Sequence, residues 1–265
     1  MIRNLIYLIL FSFLVSCSYE FPVTDEEFSS GNIDLTNYIA VGDNYSAGFM
    51  NGALYTGGQV NSFPAILSEQ FTKAGSNNDE FLQPVVSSEY GYNPIVSEPA
   101  RFYGKWIYKF SNVTDEDPII RLTPGELLDM FTGEKNRIRN FSVPLVKSFQ
   151  LDRIDLYNQV INALADEYND RLVVVDLNSI IHEISETGKI DAWGQLTTQV
   201  QFDFNGVPLE ARLGYNSIFS LDGLHFNPRG NAFIANRFIR KMNDNFGSNI
   251  RLIDVNQFVG NTVEE

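Results

Sequence analysis

The stretch Tyr38-Ile39-Ala40-Val41-Gly42-Asp43-Asn44-Tyr45-Ser46-Ala47-Gly48 constrains the fold more than any other part of the chain. An apolar run that ends in Gly-Asp and is closed by a second glycine reads as a strand entering a tight turn and then a helix. Asn44 stands at the carboxyl end of that strand, where the turn thrusts a side chain outward. Downstream, Asn61-Ser62-Phe63-Pro64 supplies a polar cap and an early proline, followed by Ile66, Leu67, Gln70 and Phe71 at helical spacing. The unit is therefore strand, turn, helix.

The rest of the chain carries two further ordered blocks. Ile154, Tyr157, Ile161, Leu164 and Tyr168 recur every three or four residues and define one face of a helix. Leu172-Val173-Val174-Val175-Asp176-Leu177 then reads as a buried parallel strand, because its β-branched residues run continuously rather than alternating. Asn227-Pro228 starts a last helix that carries Phe233, Ile234, Phe238 and Met242 inward and ends at Gly247. Between residues 73 and 140 five prolines break up short apolar pieces such as Trp106-Ile107-Tyr108, so loops and short irregular strands are expected there. A helix that feeds a parallel strand belongs to an α/β layered fold.

The N-terminus has a different character. One arginine precedes the apolar run Leu5 to Val15, which is too short to span a bilayer, so residues 1–16 read as a signal peptide. Leu14-Val15-Ser16-Cys17 fits a lipobox, with Cys17, the chain's single cysteine, as the lipidated residue. Residues 17–32 form an acidic linker and 33–265 the domain. A net charge of −14 argues against nucleic acid as a partner. No His, Cys and carboxylate cluster has metal-ligand spacing, and no cofactor is expected.

Asp222-Gly223-Leu224-His225, just ahead of the last helix, puts a carboxylate three residues before an imidazole. At that spacing the carboxylate can hold Nδ1–H and leave Nε2 as a base. The longer string Ser220 to Asn231, read together with Gly42-Asp43-Asn44 and Gly48, resembles the last and first motifs of the SGNH/GDSL hydrolases. Asn51-Gly52-Ala53-Leu54-Tyr55 and Asn61-Ser62-Phe63-Pro64 reproduce intermediate pieces found in Bacteroidetes-type SGNH lipoproteins. The resemblance spans about residues 33–72 and 150–246. It implies a flavodoxin-like three-layer α/β sandwich, here with a shortened parallel sheet, in a lipoprotein of the outer membrane. A transporter or another outer-membrane protein complex is the partner such a lipoprotein implies.

The resemblance also implies a catalytic set in which Asp222 and His225 are retained while Asn44 stands where the family has its serine. An amide cannot be deprotonated by histidine to attack an ester. Ser142 and Leu145 take the glycine places of the second motif, leaving Asn44 and Ser142 as the residues of the oxyanion region. The Gly-x-Asn-Asp motif is absent. Loss of a triad nucleophile lowers turnover about a millionfold, and loss of one oxyanion donor about a hundred- to thousandfold. The expectation is a catalytically inactive or strongly impaired protein that binds a ligand or serves as a structural component. The alternative is an active ester hydrolase that uses Asp222 and His225. Ser46, two residues past the turn, is expected to point away as an exposed or capping serine, and His182 to be structural.

Overall fold

The computed structural model describes residues 27–76, 81–98, 100–110, 119–128, 137–142, 151–177, 179–180, 214 and 217–263. Its elements, in chain order, are α1 (Asn44–Ala47), α2 (Thr56–Val60), α3 (Phe63–Lys73), β1 (Tyr103–Lys109), β2 (Ile119–Pro124), α4 (Leu151–Glu167), α5 (Pro228–Phe246) and a 3-10 turn at Val255–Gln257.

The core forms where α3 meets α5. Ile66, Leu67 and Phe71 of α3 pack with Phe233, Ile234 and Ile239 of α5, and Phe226, Ile250 and Val255 close the cluster. Both helices begin as their sequences predict. Ser62 precedes α3, with Pro64 in its first turn. Ser62, however, makes no capping hydrogen bond. The first-turn donor Phe63 N–H is taken instead by Asn231 Oδ1 of α5 at 3.2 Å, so the cap is tertiary. Asn227 caps α5 by accepting from Gly230 N–H at 2.9 Å, and Gly247 ends it in the left-handed region at φ 63°.

Two asparagines of α5 replace a strand. Asn236 accepts from Ile253 N–H at 2.7 Å and donates to Ile253 C=O at 2.8 Å, and Asn243 pairs with Ile250 in the same way at 2.9 Å each. They lie seven residues apart, on one face of the helix, and hold the segment 250–253 in place of a β-ladder. Chain entry is tied to the same end. Ser29 bridges Asn249, and Asn32 N–H donates to Phe246 C=O, within the stretch read as linker.

Helix and strand are thus mixed, as the α/β reading expects. Among the described residues the named strands are the antiparallel pair β1 and β2, with a bulge between Tyr103 and Trp106. Parallel pairing is present as isolated bridges, Ala40 with Asn140 and Leu82 with Ile138. The strand expected at Tyr38 to Val41 is thus reduced to the Ala40 bridge, and Ile39 and Val41 are 54% and 77% exposed because no sheet among the described residues covers them.

The expected strand at 172–177 is not formed. Asp176 accepts from Ser179 N–H at 3.0 Å and from its hydroxyl at 2.6 Å, and this local bonding starts a helical turn at Leu177 in place of a ladder. Leu172 stays 39% exposed while Leu177 and Ile180 reach the core. A short continuous apolar run has no periodicity to separate strand from coil or helix, so the expectation rested on composition alone. α4 forms where its spacing predicts; on its apolar face, among the described side chains, Leu164 is 43% exposed while Ile161 and Tyr168 are half-buried.

Candidate functional site

The turn after Ala40 is built by its two glycines and by Asp43. Asp43 caps α1, its carboxylate accepting from Tyr45 N–H at 3.1 Å. A Cβ on Gly42 would stand 2.0 Å from Ser46 Oγ, so only glycine leaves room for that hydroxyl. Gly48 ends α1 at φ 80°, with Gly58 C=O 2.6 Å from where its Cβ would be. The helix is one turn long. Asn44 is its first residue and half-buried, and its carbonyl accepts from Phe49 N–H at 3.0 Å.

Asp222 and His225 come together on a second tight turn. Phe219 and Phe226 bridge antiparallel, and Ser220 N–H donates to His225 C=O at 2.7 Å. At the tip, Asp222 Oδ2 meets His225 Nδ1 at 3.0 Å, while Oδ1 accepts from the backbone N–H groups of Leu224 and His225, each at 2.9 Å. The side chains of His225 and Asp222 are 6% and 11% exposed. Burial pushes the Asp222 carboxyl up, but the His225 ring and backbone bonds outweigh it and hold the pKa below the ordinary value. A carboxylate held ionised at Nδ1 fixes the imidazole with Nε2 as its other, basic nitrogen.

A third loop completes the support, and the expected site did not include it. Gly52 N–H donates to Asp222 Oδ2 at 2.8 Å, Asn51 N–H donates to Ser220 Oγ at 2.9 Å, and Asn51 Oδ1 accepts from Leu221 N–H at 2.8 Å. Asn51 adopts φ 53°, a left-handed conformation that asparagine tolerates better than most side chains. The signal in the sequence was the Asn51-Gly52 pair, which marks a turn without naming what the turn holds.

The His225 ring lies between two aromatic side chains of the first turn, 5.1 Å from Tyr45 and 4.9 Å from Phe49 by ring centroid. Tyr45 OH donates to Leu224 C=O at 3.3 Å, and burial first, then the charges of Asp43 and Asp222, push its pKa up, so it remains a neutral donor. The α1 turn that bears Asn44 is thereby seated against the His225 turn.

Ser142 meets the elbow through Ser46. Its backbone N–H donates to Asn140 Oδ1 at 3.0 Å and its hydroxyl to Ser46 Oγ at 2.7 Å. An amide already donating within the fold is not offered to an oxyanion. Ser46 is buried rather than exposed, because its hydroxyl also donates to Asp43 C=O at 3.2 Å inside the turn. Asn140 ties this knot together, its Nδ2 donating to Ser46 C=O and Gln83 Oε1, each at 3.0 Å. Replacement of Asn140 by alanine removes two buried bonds and one part-buried bond, and a loss of about 2–3 kcal/mol in urea unfolding is expected.

Cys17, Leu145 and His182 lie outside the described residues. No family model, no curated protein and no solved structure matches the chain.

Proposed function

We propose that this chain is an SGNH/GDSL-like lipoprotein, anchored in the outer membrane through Cys17, whose cleft binds a ligand without hydrolysing it. Its fold in this reading is the three-layer α/β sandwich with a shortened parallel sheet. The observation that carries the proposal is the residue at the turn: Asn44, not a serine, opens α1, and its neighbour Tyr45 packs on the His225 ring of the ordered Asp222 and His225 pair. A base without a nucleophile next to it can bind and orient a polar group but cannot form an acyl-enzyme. The committed amide of Ser142 adds to this, since an oxyanion would meet fewer donors. In this role the protein serves as the binding subunit of an envelope complex. The pair itself favours a second reading, in which His225 deprotonates water for direct ester hydrolysis.

The cleft is tested by restoring the nucleophile. The full chain in detergent, untreated, is expected to resist a fluorophosphonate probe, whereas Asn44→Ser is expected to be labelled. Labelling is expected to vanish in the double variant with His225→Ala. An unlabelled Asn44→Ser protein that remains folded would show that the loss reaches beyond Asn44, to the oxyanion donors or to the aim of His225.

A further inference from the structure

A cavity lies against the turn at Asn51, between β1 and the C-terminal segment, which meet where Tyr108 bridges Val263. Its volume is about 190 Å³, below the range of about 300–1,000 Å³ typical of drug-sized sites, so it admits one small ring. Asn51, Tyr55, Asn61, Trp106, Asn227 and Asn261 line it. It adjoins an open trough of about 780 Å³, and the two share Tyr55, Gly57 and Lys105. A small pocket at the end of a longer trough is the shape for a chain molecule entered by its terminal unit.

The amides divide into two sets. Asn227 and Asn261 have both amide N–H groups committed: Asn227 Nδ2 donates to Ser217 and Phe219 C=O at 2.6 and 3.4 Å, and Asn261 Nδ2 donates to Gly214 and Phe219 C=O, each at 2.9 Å. They form a fixed floor. Asn51 and Asn61 keep capacity in reserve. Asn61 uses one N–H, to Gly57 C=O at 2.8 Å, and Asn51 uses one N–H, to Tyr55 OH at 3.1 Å, together with one lone pair of its oxygen. Both are locked in place and still hold donors and acceptors.

Trp106 supplies a rigid wall. Its backbone N–H donates to Asn51 C=O at 2.8 Å, and a Cβ on Gly52 would stand 2.8 Å from its Cδ1, so the edge of the indole sits directly on the Gly52 Cα. Lys105 is held over the rings of Tyr55 and Tyr90 at 4.9 and 5.6 Å. With Glu89 of the trough it leaves the lining at zero net charge, in a chain of net charge −14.

An anchored indole, amides offering both donors and acceptors, and a neutral lining match a neutral sugar, whose hydroxyls donate and accept and whose ring carries an apolar C–H face. We infer that this cavity binds the terminal residue of a neutral oligosaccharide, with the chain continuing along the Tyr55 and Lys105 trough. The cavity shares Asn51 and Leu221 with the loops that hold the Asp222 and His225 pair, but neither member of the pair lines it, and the inference does not rest on the function proposed for that pair.

The test is calorimetric titration of the full chain in detergent with cellotetraose, chitotetraose, mannotetraose and tetragalacturonate, with tryptophan fluorescence read in parallel. At least one neutral tetraose is expected to bind with Kd on the order of 0.1–1 mM and to shift the fluorescence. Trp106→Ala is expected to weaken that binding about tenfold or more, and Asn61→Ala about threefold to tenfold. Because Trp106→Ala can disturb the hairpin, Asn61→Ala at an unchanged melting temperature is the second arm. His225→Ala is expected to leave the affinity unchanged, which keeps this outcome distinguishable from the fate of the dyad. No binding by any neutral tetraose, tighter binding of tetragalacturonate, or full affinity in both pocket variants would overturn the assignment.

Discussion

Asp222→Ala is expected to destabilise the protein by about 3–5 kcal/mol, because a buried donor that loses its acceptor costs about 1–3 kcal/mol and this carboxylate serves several. The carboxylate does more than orient His225. It accepts from three backbone N–H groups, at Gly52, Leu224 and His225, as well as from the imidazole. Alanine leaves all of them without an acceptor and uncouples the Asn51-Gly52 turn from the His225 turn. The sign with pH follows from the depressed pKa. A carboxyl held below its ordinary 3.8 in the folded chain contributes stability that is fully present above that value and is lost as pH falls through the lower folded value. In urea melts at stepped pH, the gap between the unmodified chain and Asp222→Ala should therefore be widest near neutrality and narrow below pH about 4. A gap independent of pH would mean that the turn is held by something other than the ionised carboxylate.

Phe233→Ala is expected to have an effect of similar size, about 3–5 kcal/mol, for a different reason. Its ring is wholly buried at the centre of the α3 and α5 contact, among Ile66, Phe226 and Ile239. Removing it leaves a cavity walled by two helices whose ends are pinned by Asn231, Asn236 and Asn243, so the site has little freedom to collapse. The loss should be the same at every pH between about 5 and 8, since nothing titrates in the contact. For a domain with a typical stability of about 5–15 kcal/mol, either substitution takes a large share. Urea midpoints at constant m-value would measure both, and a loss below about 1 kcal/mol for Phe233→Ala would contradict the placement of the core.

Local rules in the sequence reached the ends of the molecule and failed in its middle. The turn at Gly42-Asp43-Asn44, the start of α3 at Phe63-Pro64 and the whole of α5 from Asn227 to Gly247 were legible because caps, prolines and glycines act over a few residues. The Asp222 and His225 pair was legible for the same reason, being three residues apart on one turn. Long-range partners were not. Nothing in Ser62 discloses that Asn231 caps its helix, nothing in Asn236 and Asn243 discloses that they stand in for a strand, and Asn51-Gly52 reads as a turn whatever it supports. The strand expected at 172–177 fails at Asp176, where a side chain bonds its own neighbourhood instead of leaving the backbone to a sheet. Spacing alone makes Ser46 an exposed or capping serine, and the missing Cβ of Gly42 is what lets its hydroxyl turn into the elbow.

The central proposal is that this chain keeps the Asp222 and His225 pair and hydrolyses no ester. The most direct measurement is hydrolysis of p-nitrophenyl acetate and butyrate by the full chain, side by side with His225→Ala. Equal rates for the two proteins, both at the buffer background, are the predicted result. Hydrolysis by the unmodified chain that disappears in His225→Ala would contradict the account and make this protein a working hydrolase.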